Sequence, residues 1–272
     1  MTITRWLATA VLLGSGILAQ GATITLTDPY PGSSYPTTNP DIFGDPNKFD
    51  IESLQIVTTP GSAGNTNVTI TIRENYNYGD TTLSNFPNAN ATRTLAPADL
   101  LFRDSGGNYL YGIPLVTHNG SANTAASNGG PATTSSTVTA GTLYSATAGT
   151  LTANQVLNNP DPADLFRRTQ AVWLAGGTAL ATGSVSTSLA PGATNPNEIQ
   201  VVLSLSLANS SAFLAALNSG SLLAEFSSAT CANDVLQGPL SSVPEPISLT
   251  MMGGGLVLLG VIKRKRRAQQ SL

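Results

Sequence analysis

The segment Glu198-Ile-Gln-Val-Val-Leu-Ser-Leu-Ser-Leu207 carries the clearest fold signal in the chain. Val201, Leu203, Leu205 and Leu207 alternate with residues that include Ser204 and Ser206. A period of two places the four apolar side chains on one face of a β-strand and the intervening residues on the other. The segment therefore predicts a strand with one buried face, which requires a second layer to cover it.

Two upstream segments carry the same signal. Phe49–Val57 alternates with a phase slip at Ser53, and Val68–Ile72 alternates strictly. The connection 59–66 is rich in Pro, Gly, Ser and Asn, which are turn residues. The pair is predicted to form an antiparallel hairpin.

The remaining strand signals are shorter. Residues 99–116 predict two strands around a turn at Ser105–Asn108, and Ser210–Leu217 predicts a short helix capped by Asn209 or Ser210. Together with Glu198–Leu207 and the predicted hairpin, the strand candidates number nine to eleven. They predict an all-β chain, an antiparallel β-sandwich or jelly-roll-like domain with one short helix. The other strand candidates are Ala22–Thr27, Leu143–Tyr144, Ala171–Leu174, Ala179–Leu189 and Leu222–Phe226, the last predicted as the final strand.

The composition and charge of the chain argue against some classes of function. Charged residues make up 10% of the chain, and residues 22–242 contain six basic and fourteen acidic residues, a net charge of −8. This balance argues against nucleic-acid binding, which needs clustered Lys and Arg. Cys231 is the single cysteine, so the domain has no internal disulfide and depends on its apolar core.

Both ends of the chain predict targeting segments. Residues 1–21 contain Arg5, an apolar run from Trp6 to Leu18 and a small-residue exit, as in a secretory signal peptide cleaved before Ala22. At the other end, the sixteen uncharged residues 247–262 would span roughly 24 Å as a helix. This predicts a single transmembrane helix, and a basic block holds its end in the cytoplasm. The block is Lys263, Arg264, Lys265, Arg266 and Arg267.

The segment Val243, Pro244, Glu245 and Pro246 stands directly before the predicted helix. The order of motif, helix and basic block over residues 243–267 resembles the PEP-CTERM sorting signal, and residues 230–238 resemble the closing segment of β-sandwich ectodomains in that group. The N-terminal signal peptide predicts export through the Sec translocon and cleavage by signal peptidase. The resemblance implies how the exported protein is then handled. It implies transient anchoring in the inner membrane with the domain in the periplasm, cutting by an exosortase at Pro-Glu-Pro, and release to the cell surface or extracellular matrix. An ordinary C-terminal anchor is the alternative.

The exported domain is predicted to span residues 22–240, with a low-complexity loop at 118–154. Its one histidine, His118, is predicted to be solvated, and no catalytic motif is present around it. Oxygen ligands crowd one Pro-rich loop and are weak candidates for Ca²⁺, although turn formation explains them equally well. They are Asp41, Asp45, Asn47 and Asp50.

Three functional hypotheses remain. The first is a non-enzymatic surface or matrix protein with a structural or interaction role in exopolysaccharide or biofilm. The second is a carbohydrate-binding module using aromatic side chains, for which core packing is the default; the candidates are Tyr76, Tyr78, Tyr109, Tyr111 and Trp173. The third is a glycoside hydrolase with two carboxylates drawn from Glu52, Glu74, Asp99 and Asp104. Glu52 and Glu74 are more simply interpreted as strand-surface charges.

Overall fold

The structure is a computed structural model that describes residues 21–28, 34–35, 39–40, 50–62, 64–76, 97–119, 137–146, 151–153, 171–228 and 234–241. The chain divides into two compact units, Met1–Ser241 and Ser242–Leu272. Several predictions lie outside the described residues: the signal peptide up to residue 20, Asp41, Asp45, Asn47, Tyr78, Cys231 and the whole segment 243–267. Within the described residues, no helix has the length and apolarity needed to cross a membrane.

One sheet has five antiparallel strands in the order β1-β4-β5-β15-β14. The predicted hairpin forms the centre of this sheet. The strand predicted at Glu198–Leu207 pairs with the second strand of the hairpin along its whole length, from Asn65 to Glu74. The strands are β1 (Thr23–Thr27), β4 (Ile51–Pro60), β5 (Asn65–Glu74), β14 (Ser184–Leu189) and β15 (Ile199–Ala208).

The second sheet has six antiparallel strands in the order β13-β10-β7-β6-β16-β17. Its strands are β6 (Leu100–Arg103), β7 (Tyr109–Ile113), β10 (Leu143–Ser145), β13 (Thr178–Ala181), β16 (Leu223–Ser227) and β17 (Val235–Pro239). Three two-stranded ladders accompany the sheets: β2 (Ser34–Tyr35) with β3 (Asn39–Pro40), β8 (His118–Asn119) with β9 (Thr137–Val138), and β11 (Leu151–Ala153) with β12 (Ala171–Leu174).

The main core lies between the two large sheets. Val201, Leu203, Leu205 and Leu207 of β15 are between 0 and 3% exposed, which confirms the predicted inward face. The phase slip predicted at Ser53 is a β-bulge, where the register of β4 against β5 shifts. These strands pack against the inward side chains of the six-stranded sheet in one cluster, so the all-β sandwich is confirmed.

A short helix, α1 (Ala212–Asn218), closes one end of the core. Phe213 makes edge-to-face contacts with Phe102 and Tyr111, each with ring centroids 5.1 Å apart. The predicted cap was wrong: Ser211 occupies the N-cap position and makes no side-chain capping hydrogen bond. The helix is therefore held by packing of its apolar face rather than by a cap.

Three other predictions were wrong in part. The strand ending at Phe226 is not the last one, because β17 follows it and pairs with it throughout. Residues 179–189 form two strands that belong to different sheets, separated at Gly183. The predicted loop at 118–154 contains four short strands, one of which, β10, is built into the six-stranded sheet; only the short strand at Leu143–Tyr144 had been anticipated there.

The two sides of the sandwich differ. On one side the edge strands β1 and β17 pack together, and a Cβ on Gly238 would approach the Leu26 side chain to 3.0 Å. On the other side β13 and β14 are mostly exposed to solvent. The flank at β1 and β17 is therefore closed by packing. On the other flank the Gly183 N–H donates to the Gly141 carbonyl at 3.1 Å at the start of β14, and the rest of β14 is mostly exposed.

Candidate functional site

A buried carboxylate, Asp99, lies just before β6 and joins three parts of the chain. Its Oδ2 accepts a hydrogen bond of 2.7 Å from the Leu174 N–H of β12 and lies 3.0 Å from Nε2 of His118. The backbone of Leu115 also hydrogen-bonds the carboxylate. In return, the Asp99 N–H donates to the Val172 carbonyl at 2.9 Å. Asp99 thus fastens β8 and β12 to the start of β6.

The His118 ring lies against the indole of Trp173. The ring centroids are 3.6 Å apart, and the histidine side chain is 7% exposed. The prediction of a solvated loop histidine was therefore wrong. Ala98 and Val172 form an apolar cluster with Trp173 around this pair.

Burial dominates the electrostatics of Asp99. Removal from water raises the pKa of the carboxyl above its ordinary value, and the contacts with His118, Leu174 and Leu115 offset only part of that shift. A buried carboxylate next to an imidazole fixes the orientation of the ring. With both side chains at 7% exposure or less, this pair is suited to holding structure together rather than to receiving a large substrate.

A second buried carboxylate is Glu225 of β16. Like Asp99, it lies on the outer face of the six-stranded sheet, the face that points away from the main core. Tyr109 donates its hydroxyl to Glu225 Oε1 at 2.7 Å, and Arg103 Nε is 3.4 Å from Oε2. The Arg103 guanidinium also donates to Gln237 Oε1 at 2.6 Å. These four side chains form a polar network across β7, β6, β16 and β17.

Burial again sets the titration of this network. It raises the pKa of Glu225 even though the Tyr109 hydrogen bond and the Arg103 charge act in the opposite direction. It also raises the pKa of Tyr109, with a further contribution from the neighbouring Glu225 charge. The hydrogen of the phenol is therefore held between the two groups as a donor to the carboxylate.

The strand β12 covers this outer face. A Cβ on Gly112 of β7 would lie 2.7 Å from Leu174 Cδ1, so glycine is what allows the close approach. Leu101, Tyr144 and Leu174 form the apolar part of the same layer. The two buried acids therefore lie beneath a third layer and not in the core between the sheets.

A different group of acids lies where β1, β4, β5 and β15 meet at one end of the sandwich. Arg73 contacts both Glu52, at 3.4 Å, and Glu198. Burial raises the pKa of Glu52, and the Glu198 charge adds to this while Arg73 opposes it. Burial, with the charges of Asp28 and Glu52, raises the pKa of Asp50 to about 6.

Of the four residues predicted to bind Ca²⁺, Asp50 is the one that the structure describes, and it lies at this end. Asp50 is half-buried, and the other three candidates lie outside the described residues. Within the part of the chain that the structure describes, no group of three or more His, Cys, Asp or Glu side chains is arranged to hold a metal ion. Calcium binding at Asp41, Asp45, Asn47 and Asp50 stays a prediction.

The four described aromatic residues proposed for carbohydrate are used inside the protein. Tyr76 and Trp173 are 1% and 5% exposed. Tyr109 is half-buried with its hydroxyl on Glu225, and Tyr111 packs on Phe213. Tyr76 and Trp173 therefore offer no open ring face for stacking on a sugar, and Tyr109 and Tyr111 are partly buried.

The carboxylates proposed for a hydrolase are spread over the molecule. Glu52 is paired with Arg73 on the five-stranded sheet, and Glu74 is fully buried at the end of β5, so its interpretation as a surface charge was wrong. Asp104 is exposed in the β6–β7 turn, where it accepts hydrogen bonds from Asn108 that lower its pKa.

Sequence reasoning missed both buried networks. Asp99 and His118 are only nineteen residues apart, but Asp99 and Leu174 are separated by 75 and Tyr109 and Glu225 by 116. One local signal was available: Leu101 and Arg103 alternate with the core residues Leu100 and Phe102, so the outer face of β6 carries Leu101 where a wholly solvated face would be polar. No protein-family model, curated protein or solved structure matches this chain.

Proposed function

We propose that the protein is an exported surface or matrix protein without catalytic activity, cut by an exosortase at its Pro-Glu-Pro motif. The observation that carries this proposal is the order of the tail. Val243–Pro246 leads directly into the uncharged segment 247–262, which leads into the five basic residues 263–267. Helix and basic block are common to all C-terminal anchors, whereas the motif at the helix entry distinguishes a sorting signal from an anchor.

The position of the last described strand supports this proposal. β17 ends at Pro239, and Leu240 is fully buried with its N–H donating to the Leu222 carbonyl at 2.8 Å. Val243 follows three residues later. Cutting at the motif would therefore leave every described hydrogen bond of the sandwich in place, as processing after folding requires.

The start of the domain supports export in the same way. β1 begins at Thr23, directly after the predicted signal-peptidase site before Ala22. The Thr58 N–H donates to the Ala22 carbonyl at 2.9 Å, and the Ala22 N–H donates to the Thr58 hydroxyl. The new terminus would thus be held against β4.

A structural or interaction role agrees with how the described polar groups are used. The buried carboxylates Asp99 and Glu225 are engaged by His118, Tyr109 and backbone N–H groups. Their side chains are 0% exposed. We propose that the domain acts through its outer surface within the exopolysaccharide or biofilm matrix. Before its release, residues 247–262 hold it in the inner membrane.

Replacing Pro244, Glu245 and Pro246 by alanine tests the sorting proposal. In the producing cell, the wild type is expected to lose its tail and reach the surface or medium, while the variant stays in the membrane fraction at full mass. A matched control changes Gln269, Gln270 and Ser271 to alanine, which alters as many residues beyond the basic block. Mass spectrometry of the mature protein and fractionation report both results. A wild type that keeps residues 247–272 in the envelope would show that the tail is an anchor only.

A further inference from the structure

Two described edge strands are exposed, β13 and β14, and β14 is the longer and more regular of the two, since β13 has four residues and its register against β10 shifts. β14 pairs with β15 over all six residues, from Ser184–Ser204 to Leu189–Ile199, with no shift in register. Every residue from Ser186 to Leu189 is exposed, and Leu189 is 66% exposed. A regular strand with an open edge presents a row of backbone donors and acceptors to any strand that can align with it.

The hydrogen bonds to β15 show which backbone groups point outwards. The Ala190 N–H donates to the Glu198 carbonyl at 3.1 Å. Along an antiparallel strand, residues that bond to one neighbour alternate with residues whose N–H and C=O point to the other side. The groups of Ser184, Ser186 and Ser188 therefore face β15, and those of Val185, Thr187 and Leu189 face the open edge.

The side chains of these outward-bonding residues lie on the core side of the sheet. Val185 packs against the main core, and the period of two places Thr187 and Leu189 on the same face. Leu189 is nevertheless mostly exposed, because β14 is the last described strand on this side. A further strand beside β14 would extend the core over Leu189.

Gly141 lies against the first two residues of β14, Ser184 and Val185, and beyond them the strand lacks the usual protections of an edge. The chain has no charged residue between Arg168 and Glu198, and β14 itself contains neither proline nor a bulge. Lysine, proline and bulges are the features that prevent edge-to-edge pairing in most sheets. The neutrality is notable in a domain whose predicted exported part carries a net charge of −8.

We propose that β14 pairs with β14 of a second copy of this chain, antiparallel and centred on Thr187. In that register Thr187 lies opposite Thr187 of the second copy, and Val185 lies opposite Leu189 of the second copy. All three outward-bonding residues then meet their counterparts, so the hydrogen-bonding pattern and the apolar face are both self-complementary. The result is a two-fold symmetric dimer with one continuous ten-stranded sheet.

A second copy is a better occupant than an unrelated charged partner. Two acidic domains repel each other, so their contact must form where the surface carries no charge, and the segment 169–197 meets that condition. In the same register Ser186 meets Ser188 of the second copy on the outer face, so no buried charge results. Pairing through two short strands buries a small area, and interfaces below about 1,200 Å² are usually weak. The dimer should therefore depend strongly on protein concentration.

Site-directed cross-linking tests the register. In a full-length chain with Cys231→Ser, we compare Thr187→Cys, Leu189→Cys and Ser184→Cys under mild oxidation or with a short bifunctional thiol reagent. The proposed pairing puts the two Thr187 Cα atoms about 5.5 Å apart. The two Leu189 Cα atoms would be roughly 14 Å apart and the two Ser184 Cα atoms roughly 20 Å apart. The Thr187→Cys dimer should form at least about tenfold faster, since disulfides need Cβ atoms within roughly 4.5 Å. Leu189 is the control for exposure, and equal rates at the three positions would overturn the proposal.

A proline substitution tests the backbone hydrogen bonds. Thr187→Pro removes one outward N–H and leaves the bonds to β15 intact, which edge strands tolerate. Thr187→Ala, the matched control, keeps that N–H. Sedimentation of the full-length chains in detergent should show a concentration-dependent dimer for the wild type and Thr187→Ala, and a dissociation constant at least about tenfold weaker for Thr187→Pro, the loss of roughly 1.4 kcal/mol. A wild type that is monomeric at every concentration, or a Thr187→Pro variant that dimerises like Thr187→Ala, would refute the pairing.

Discussion

Asp50 is a half-buried carboxylate with two other acids, Asp28 and Glu52, close enough to raise its pKa to about 6. A carboxyl whose pKa is raised by folding binds its proton more tightly in the folded state. Its contribution to stability is therefore complete below the unfolded value near 3.8 and is lost as the pH rises through about 6. At neutral pH the ionised Asp50 works against folding.

Asp50→Asn is expected to stabilise the protein at pH 7.5 and to have no effect at pH 4. The full shift corresponds to about 3 kcal/mol, and solvent screening of this half-exposed group reduces the expected gain to about 1 kcal/mol. Urea unfolding between pH 4 and 7.5, in EDTA so that calcium does not contribute, measures the difference. Asp104→Asn is the control of opposite sign, because Asn108 lowers the pKa of Asp104. A gain from Asp50→Asn that is constant with pH would contradict the assigned cause.

The Asp99–His118 pair is expected to be strongly coupled in stability. Asp99→Ala should lower the free energy of unfolding by about 2–4 kcal/mol, because it leaves the buried Leu174 N–H and His118 without this acceptor. His118→Ala should cost less, since Asp99 keeps its backbone donors. The double variant should cost less than the sum by about 1–3 kcal/mol.

Denaturant unfolding of the two single variants and the double variant measures this coupling. His118→Gln serves as the matched variant, because its amide can still donate to Asp99 while the stacking on Trp173 is lost. It should fall between the wild type and His118→Ala. Full additivity of the two single costs would show that the two side chains do not depend on each other.

At the scale of the elements, the local sequence pattern predicts where the strands lie but not how they pack into layers. β4, β5 and β15 appear where alternation predicts them, including the bulge at Ser53, because the period of two is a property of neighbouring residues. The covering of the six-stranded sheet by β12 is different. Ala171–Leu174 was recognised as a strand, but its position over β6 and β7 depends on residues that are far away in sequence.

Gly112→Ala tests the packing of β12 on the sheet. The added methyl would overlap Leu174, which is fully buried, and should lower the free energy of unfolding by about 1–3 kcal/mol. In a Leu174→Ala background the space is available, so the same substitution should cost less than it does alone. Chemical unfolding of the four chains in this cycle gives the coupling. If Gly112→Ala costs the same in both backgrounds, Leu174 does not limit the space at Gly112.

At the scale of the whole molecule, the exposed strand β14 and the tail are proposed to act at different steps, self-association and processing. The tail test reports whether residues 243–267 direct processing, and the β14 tests report whether the domain pairs with itself. A protein that is released into a matrix and associates weakly through an edge strand would gain from high local concentration there. Each test can fail without the other, because the first measures mass and location and the second measures association in vitro.

The amino-acid sequence by itself determined the β-strands with one apolar face, the acidic character of the predicted exported part and the order of motifs in the tail. These are properties of neighbouring residues and of composition, so they need no knowledge of the fold. Only the tertiary structure decided which acids are buried, that His118 meets Asp99 and Trp173, and that β14 has an open edge. Those facts depend on the order of strands in two sheets, and local alternation does not encode which distant strand becomes a neighbour.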